Sequence, residues 1–376
     1  MPGLDDRAWD LVFGPEAQRL EARACPGPPG LGLGATAELS FSSAGLTPEE
    51  LALLQHLRDA RLEPAAPEGM ARLLLPADLL EELGERSPGL ACLAQAQRNA
   101  TAPRARPRIL GVLNVTPDSF SDGGRHSRPD RAISHGLKLI EEGADILDVG
   151  GESTRPGAEP VEASEELERV LGVVTALAAD GRALVSIDTR KAIVARTAID
   201  EGASMVNDVS AGTADPEMLA SVARSEASMC LMHMRGTPSD MQSAPAYRDC
   251  VREVVAYLRE RVAEALKASI PVSRILLDPG IGFGKRLEDN LALLRALPEL
   301  RSLGLPLVLG VSRKSFLGLL GGEDRPHERT FETTAAVAIG ALLGADVHRV
   351  HDVAGARRAL AVAQAVARGA PTGGAH

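Results

Sequence analysis

Beyond residue 108 the sequence alternates between short apolar runs and longer segments with helical periodicity. Each run has three to five residues, mostly Val, Ile, Leu and Met, a composition typical of strands buried on both faces. Strands that are separated by helices pair in parallel within one sheet. The eight runs occupy residues 109–113, 146–149, 184–187, 204–206, 229–232, 275–277, 307–311 and 347–350.

Amphipathic helices fill the intervals between these runs and follow the last one. The clearest helical patterns cover residues 132–142, 164–179, 191–201, 250–268 and 354–367. A count of eight strands, seven intervening helices and a final helix predicts a (β/α)8 TIM barrel of about 260 residues. The alternative is an open doubly wound sheet, but no G-x-G-x-x-G stretch follows the first strand.

The first hundred residues predict a separate small domain. Its strand patterns lie at residues 37–41 and 71–75, and its helical patterns at 47–57 and 77–83. A basic, proline-rich segment at residues 101–108 then leads into the barrel. We therefore expect a small α/β appendage plus linker at 1–105 and the barrel at 106–370. The appendage contains no catalytic set of residues, so we expect it to be structural or regulatory.

Composition narrows the class of partner. The formal net charge is −10, which argues against nucleic acid or an anionic membrane surface, because both attract a basic face. The four cysteines lack the spacing of a metal site or a redox motif. The first residues do not form a signal peptide, and no apolar run approaches the ~18 residues of a membrane span. We expect a cytoplasmic protein with small-molecule ligands.

Polar residues follow every predicted strand. Each alone is ordinary, since an Asp or Asn after a strand often caps the next helix. In a TIM barrel, however, the carboxyl ends of all eight strands meet at one mouth, where unpaired polar groups are costly unless a ligand satisfies them. The residues in these positions are Asn114, Asp148, Asp188, Asn207, His233, Asp278, Lys314, Arg349 and His351.

The chemistry of these side chains suggests a ligand with two parts. Asp188, Asn207 and Asp278 suit a flat heterocycle that presents N–H donors along one edge. The cations Lys314 and Arg349 could meet ring acceptors or stack on the ring. An anion such as a phosphate could be held by Asn114, Thr154, Arg349 and His351. Without a Cys/His cluster, any metal should be oxygen-bound, such as Mg²⁺.

Eight motifs in order resemble the dihydropteroate synthase family, and the resemblance covers the chain from about 108 to 368. They are LNVTPDSFSDGG at 113–124, GGESTRPGA at 150–158, SIDT at 186–189, VNDV at 206–209, MHM at 232–234, LDPGIGFGK at 277–285, GVSRKSF at 310–316 and RVHD at 349–352. The first hundred residues are similar to the small N-terminal domain of some members, although this match is weak.

The resemblance implies a reaction and a role for each residue. The reaction joins 6-hydroxymethyl-7,8-dihydropterin diphosphate to 4-aminobenzoate in folate synthesis, releasing diphosphate. The catalytic residues would be Asp188, Asp278, Lys314, Arg349 and His351. The substrate-binding residues would be Phe120, Thr154, Arg155, Pro156, Asp188, Asn207, Asp278, Lys314, Ser315, Arg349, Val350 and His351. Asn114 would be the Mg²⁺ ligand.

The implied mechanism is S_N1-like, with Mg²⁺ assisting the departure of diphosphate, and the family suggests a homodimer. Two alternatives have different requirements. A pterin-dependent methyltransferase on the same barrel would need the pterin carboxylates but not the loops at 116–120 and 312–315, so both loops argue against it. A non-catalytic pterin-binding paralogue should have lost residues at a strand end, and none is visibly lost.

Overall fold

The fold was analysed in a computed structural model of the chain. It describes residues 20–24, 36–42, 61–65, 70–76, 106–116, 128–153, 160–237, 240–243, 245–301 and 303–368. The chain divides into two compact units. One comprises residues 106–300 and 306–376, and the other comprises residues 1–105 and 301–305.

A four-stranded antiparallel sheet occupies the N-terminal region. Its strands are β1 Leu20–Ala24, β2 Thr36–Ser42, β3 Arg61–Ala65 and β4 Met70–Pro76, in the order β1-β2-β4-β3. The two predicted strands are the central ones, β2 and β4. The edge strands β1 and β3 were missed because their sequences, LEARA and RLEPA, are rich in charge and the second contains a proline, both of which edge strands tolerate. The predicted helices at 47–57 and 77–83 lie outside the described residues.

Eight parallel strands form the second sheet, in the order β10-β9-β8-β7-β6-β5-β12-β11. This is the barrel that the sequence predicts. Its strands are β5 Arg108–Asn114, β6 Ile146–Gly150, β7 Leu184–Asp188, β8 Met205–Asp208, β9 Ser228–Met232, β10 Ile275–Asp278, β11 Val308–Leu309 and β12 Val347–Val350.

The ring closes between β10 and the start of β11. Leu277 and Leu307 form a parallel bridge, and the amide of Leu277 donates to the carbonyl of Pro306 at 2.9 Å. β11 is shorter than the predicted strand at 307–311. The chain leaves the ladder after Leu309 because it enters a turn in which Arg313 adopts a positive φ of 62°.

Helices follow the strands around the outside of the barrel, as a parallel sheet requires. They are α1 Arg128–Glu142, α2 Ala163–Asp180, α3 Ala192–Asp200, α4 Met218–Ala223, α5 Cys250–Lys267, α6 Leu287–Arg295, α7 Leu297–Arg301, α8 Ser315–Gly321, α9 Thr330–Leu343 and α10 Val353–Arg368. Within the described part of the chain, no helix has the length and apolar character needed to cross a membrane.

An apolar layer fills the barrel. It is built from six strands and contains Leu110, Ile146, Met205, Cys230, Val308 and Val347, with Leu276 packed against it. A parallel barrel strand turns alternate side chains inward, so the next inward positions along these strands lie nearer the carboxyl ends. The apolar layer is therefore the foundation on which the polar mouth rests.

The side chain of His348 points out of the barrel, towards the helices, and is fully buried between β12 and α9. Its ring lies close to the helix backbone, since a Cβ on Gly340 would stand 3.4 Å from the Cε1 atom of His348. Burial lowers the pKa of His348 to about 4, well below the value of an exposed histidine.

Acid should therefore destabilise the fold through His348. Because the folded-state pKa is depressed, the unfolded chain takes up a proton first, and stability is lost as the pH falls from about 6.5 towards 4. Relative to a His348→Leu variant, the wild type should lose about 2 kcal/mol of unfolding free energy between pH 7 and pH 5. Denaturant titrations at both pH values measure this. His327→Leu, at an exposed position, is the control; parallel pH curves for wild type and His348→Leu would contradict the assignment.

Candidate active site

Strand register brings the predicted polar residues to the same end and the same face of the barrel. Gly150 of β6 lies beside Asp188 of β7, and Asp188 lies beside Asn207 of β8. Gly150 leaves room for its neighbour, since a Cβ there would stand 3.5 Å from the Cβ of Asp188. The side chains of Asp188 and Asn207 thus lie next to each other above the apolar layer.

Asp148 of β6 is the centre of a hydrogen-bond network across the barrel. It is fully buried. One of its oxygens, Oδ2, accepts from Asn207 Nδ2 at 2.9 Å and from Arg349 Nε at 2.6 Å. Because a carboxylate only accepts, the nitrogen of the Asn207 amide must face Asp148. The amide oxygen of Asn207 is thereby turned away from Asp148, where it can serve as an acceptor.

Arg349 connects Asp148 to Asp188. Its Nη2 donates to Asp188 Oδ2 at 2.7 Å, so one guanidinium spans two carboxylates from neighbouring strands. Burial raises the pKa of Asp188 to about 7, and the positive charge of Arg349 opposes that rise. Burial acts against the charge of Arg349, but its pKa is raised because Asp148 and Asp188 outweigh the burial.

Asp278 and Lys314 form a second pair on the opposite side of the mouth. Asp278 Oδ1 accepts from the amide of Gly280 at 2.7 Å. A Cβ on Gly310 would lie 3.7 Å from Lys314 Nζ and 3.8 Å from Asp278 Oδ2, so both groups border the same space. Burial raises the pKa of Asp278 and lowers that of Lys314 to about 7, while each charge opposes the shift of the other.

The glycine-rich loop after β10 holds Lys314 in place. Lys314 Nζ donates to the carbonyl of Ile281 and lies 4.4 Å from the centre of the Phe283 ring. Gly282 has a φ of 82°, and a Cβ there would stand only 2.8 Å from Lys314 Cδ. A glycine is required because the backbone conformation and the lysine stem both exclude a side chain.

Lys285 stabilises this loop through its side-chain contacts. It was not predicted as a site residue. Its Nζ contacts His233 Nδ1 at 2.9 Å and donates to the carbonyl of Phe283 at 3.1 Å. Both side chains are buried. Burial lowers the pKa of Lys285 to about 7 and that of His233 to about 3. The His233 ring is therefore neutral at pH 7 and does not repel Lys285. The pair ties the β10 loop to the end of β9.

A buried ion-pair network ties the end of β6 to the end of β7. Glu152 accepts from Arg190 at 2.9 Å and from Lys191 at 2.6 Å, and Lys191 also pairs with Glu166 of α2. Burial would raise the pKa of Glu152, but the hydrogen bonds from these two cations hold it below its ordinary value. The segment that follows Asp188 is therefore fixed from the end of a neighbouring strand.

Comparison with known proteins places this site in a family. The family described as pterin binding enzyme matches residues 110–351. The dihydropteroate synthase of Mycobacterium leprae is 50% identical over 261 residues, which cover 68% of this chain and 92% of the relative. The chain belongs to the dihydropteroate synthases.

Solved structures of dihydropteroate synthases are similar to this chain in fold and in sequence. Dihydropteroate synthase from Xanthomonas albilineans with 4-aminobenzoic acid has a TM-score of 0.66 and 49% identity, covering 69% of this chain and 93% of that one. The same enzyme in complex with 7,8-dihydropteroate has a TM-score of 0.64 and 45% identity, with coverages of 70% and 95%. The similarity to these dihydropteroate synthases covers the barrel.

The described part of the chain contains only some of the residues that the family resemblance implies. Asp188, Asn207, Asp278, Lys314 and Arg349 lie together at the mouth. Four others fall outside the described residues, namely Phe120, Thr154, Arg155 and Pro156.

The remaining predicted residues lie around the mouth. Asn114 ends β5 opposite Gly150 and is half-buried, and Ser315 is the exposed first residue of α8. The side chain of Val350 is fully buried on the face opposite Arg349, so a ligand would meet its backbone. His351 follows β12, and its Nδ1 lies 3.0 Å from Ser312 Oγ.

Asp148 is among the polar residues that the sequence places at the strand ends, but sequence reasoning gave it no role in this dihydropteroate synthase. The sequence places it inside an apolar run, which is where a carboxylate is most costly. That cost was the available signal, because a charge in a buried strand requires a partner. Nothing in the sequence identifies the partners, which are 59 and 201 residues away.

Asp148→Asn should destabilise the protein, because it removes the buried negative charge that pairs with Arg349, although the amide oxygen can still accept from Arg349 and Asn207 in place of Oδ2. Breaking a buried pair leaves an uncompensated charge, so we expect a loss of about 3 kcal/mol of unfolding free energy. Denaturant titration measures it. Asp180→Asn makes the same change in a surface pair with Arg182 and should stay close to wild type; equal losses in both variants would show that Asp148 has no special role.

Proposed function

We propose that the chain condenses (7,8-dihydropterin-6-yl)methyl diphosphate with 4-aminobenzoate to give 7,8-dihydropteroate and diphosphate. The observation that supports this best is the set of buried acceptors and cations at one barrel mouth. Asp188 and Asp278 lie on opposite sides of it, each beside a cation, Arg349 or Lys314. Relatives in this family have been solved with 4-aminobenzoic acid and with 7,8-dihydropteroate.

The pterin ring would lie above the apolar layer. Asp278 has one oxygen bonded to the Gly280 amide and a second bordering the space beside Gly310. Together with Asp188 and the amide oxygen of Asn207, it offers acceptors to the N–H groups of the pterin edge. Lys314 would donate to a ring acceptor, and its substrate-bound form would therefore be the ammonium.

The diphosphate would bind beside Arg349 and His351, with Thr154 on the β6 loop. Asn114 would be the protein ligand of Mg²⁺. Among the described residues, no group of three or more Asp, Glu, His or Cys side chains forms a metal site. A single amide oxygen fits an ion that keeps several waters and is shared with substrate phosphates, which is how Mg²⁺ usually binds. When bound, Mg²⁺ would neutralise charge on the diphosphate.

The reaction would proceed through a delocalised pterin cation. The bond between the methylene carbon and the diphosphate oxygen breaks, and its electron pair leaves with the diphosphate. Arg349 and His351 stabilise the negative charge that develops there. The carboxylates of Asp188 and Asp278 stabilise the positive charge that spreads into the ring. The nitrogen of 4-aminobenzoate then attacks the methylene carbon, forms the C–N bond and loses a proton to solvent.

The aminobenzoate pocket would be completed by the loops after β5 and β6. Phe120, Arg155 and Pro156 would border it, together with Lys314 and Ser315. We place these residues by their motifs alone. The N-terminal 105 residues would not contribute to the reaction, because none of the assigned residues lies within them.

We also propose that the enzyme is a cytoplasmic homodimer. Phe331 of α9 is 86% exposed and Leu319 of α8 is 71% exposed, and Ile339 lies two turns along α9 from Phe331 at 51% exposed. Exposed apolar side chains this large mark an interaction surface, and a second copy is a partner that every chain has. The free thiols of Cys230 and Cys250 suit a reducing compartment.

Product formation from the pterin diphosphate and 4-aminobenzoate, with and without Mg²⁺, tests the activity. Asp278→Asn should weaken binding of a pterin ligand by about 2–3 kcal/mol, because the amide presents a donor to the ring's own N–H group. Calorimetry measures this, with Asp249→Asn, at the N-cap of α5, as the control that should keep wild-type affinity. Unchanged affinity in Asp278→Asn would remove this residue from the pterin site.

Phe331→Glu should convert the dimer to a monomer. The variant loses the apolar contact of Phe331, and a symmetric interface would bring the two introduced glutamates close together. Sedimentation velocity of the wild type and the variant measures the change. Val362→Glu, an exposed apolar position on α10, is the comparison at a second face. If the wild type sediments as a monomer, or Phe331→Glu remains a dimer, this surface is not the interface.

A further inference from the structure

We propose that Ser312 is a positioning residue that fixes the ring orientation and the tautomer of His351. This inference rests on the proposed function, which assigns His351 to the diphosphate site. Ser312 follows β11 and His351 follows β12, so the contact joins the ends of two neighbouring strands. Sequence reasoning gave Ser312 no role.

Two contacts connect the residues. The backbone amide of His351 donates to Ser312 Oγ at 3.2 Å, and the ring nitrogen Nδ1 lies 3.0 Å from the same oxygen. One hydroxyl therefore restrains both the backbone and the ring of His351. A ring held at Nδ1 can rotate little about its side-chain torsions without losing the contact.

The hydroxyl proton decides the tautomer. Ser312 is 8% exposed, and a hydroxyl this buried uses its proton in a hydrogen bond. Within the described part of the chain, the hydrogen bonds of Ser312 Oγ all involve His351. The amide of His351 is a donor, so Nδ1 is the acceptor that remains for the hydroxyl proton. A neutral imidazole that accepts at Nδ1 carries its proton on Nε2.

This tautomer is the one that an anion needs. Nε2, the ring nitrogen remote from Ser312, becomes an N–H donor while the imidazole is still neutral. A diphosphate would then meet a donor rather than a lone pair, and His351 would not have to pick up a proton to bind it. Second partners that set a histidine tautomer in this way are usual where the ring serves an ion.

The turn that carries Ser312 is itself rigid. The next residue, Arg313, has a positive φ of 62°, which a non-glycine residue adopts only where its surroundings enforce it. The amide of Arg313 donates to Thr333 Oγ1 at 3.1 Å, and its carbonyl accepts from the buried Arg329 at 3.0 Å. Both contacts come from α9 or from the residue that caps its N-terminus, so Ser312 is held independently of the ligand.

Nitrogen-15 NMR of the imidazole rings tests the tautomer directly. The chain has eight histidines, and His351→Gln identifies the signal of His351 by its loss. At pH 8, above the ordinary pKa of histidine, the wild type should show His351 with an unprotonated Nδ1 and a protonated Nε2. A protonated Nδ1 in the wild type would overturn the proposal.

Ser312→Ala should mix the tautomers and weaken binding of inorganic diphosphate with Mg²⁺ roughly five- to tenfold, the equivalent of one hydrogen bond. Ser312→Thr keeps the hydroxyl, and its methyl group can enter the small cavity lined by Ser312, Thr333, Val337 and Ala356. The threonine variant should therefore bind diphosphate within about twofold of wild type. A pterin ligand without diphosphate should bind all three proteins equally, which a merely structural defect would not allow.

Two outcomes would contradict the inference and can be told apart. If Ser312→Ala binds diphosphate as tightly as wild type while His351→Gln does not, Ser312 does not position His351, and the proposed function stands. If His351→Gln also keeps wild-type affinity, His351 does not contact diphosphate, and its place in the proposed function fails together with this proposal.

Discussion

The mouth of this barrel depends on one buried carboxylate. Asp148 stands between Asn207 and Arg349 with no exposure to solvent, and it accepts from both. Removing a carboxylate from water costs several kcal/mol, which only a well-oriented partner offsets. Asp148 obtains two, and in doing so it fixes the direction of an amide and of a guanidinium. The acceptor of Asn207 and the charge of Arg349 are thus set before any ligand arrives.

Further buried pairs support the same mouth from outside. Glu152 fixes Arg190 and Lys191, which follow Asp188, and Lys285 with His233 fixes the loop that supports Lys314. Each pair joins the end of one strand to the end of its neighbour. A site that must present charge without relaxing around it benefits from such support, because reorganisation during the reaction would cost part of the stabilisation.

The perturbed groups follow from this construction. Burial shifts the pKa of Asp188, Lys314 and Lys285 to about 7, and each shift reflects a group held in place away from solvent. Groups that sit between two protonation states are common where a protein binds and transforms a charged ligand. Burial away from solvent is the largest cause of each shift.

Much of this protein could be predicted from the sequence. The alternation of apolar runs and helices after residue 108 determined the barrel, because a period of two or of 3.6 residues is a local property of the chain. The strand-end motifs determined the family and most of the candidate site. The edge strands β1 and β3 were not predicted, since a strand that pairs on one side only has a weak hydrophobic pattern in its sequence.

Tertiary structure alone decided which charges meet. Arg349 joins Asp148 from 201 residues away, and the pairing of β5 with both β12 and β6 is what brings them together. The sequence states that Asp148 is a charge in a buried strand, but not what neutralises it. It likewise shows Ser312 and His351 as separate strand ends, whereas the pairing of β11 with β12 makes them partners. Hydrogen bonds at 3 Å are set by distances in space, which a linear pattern does not contain.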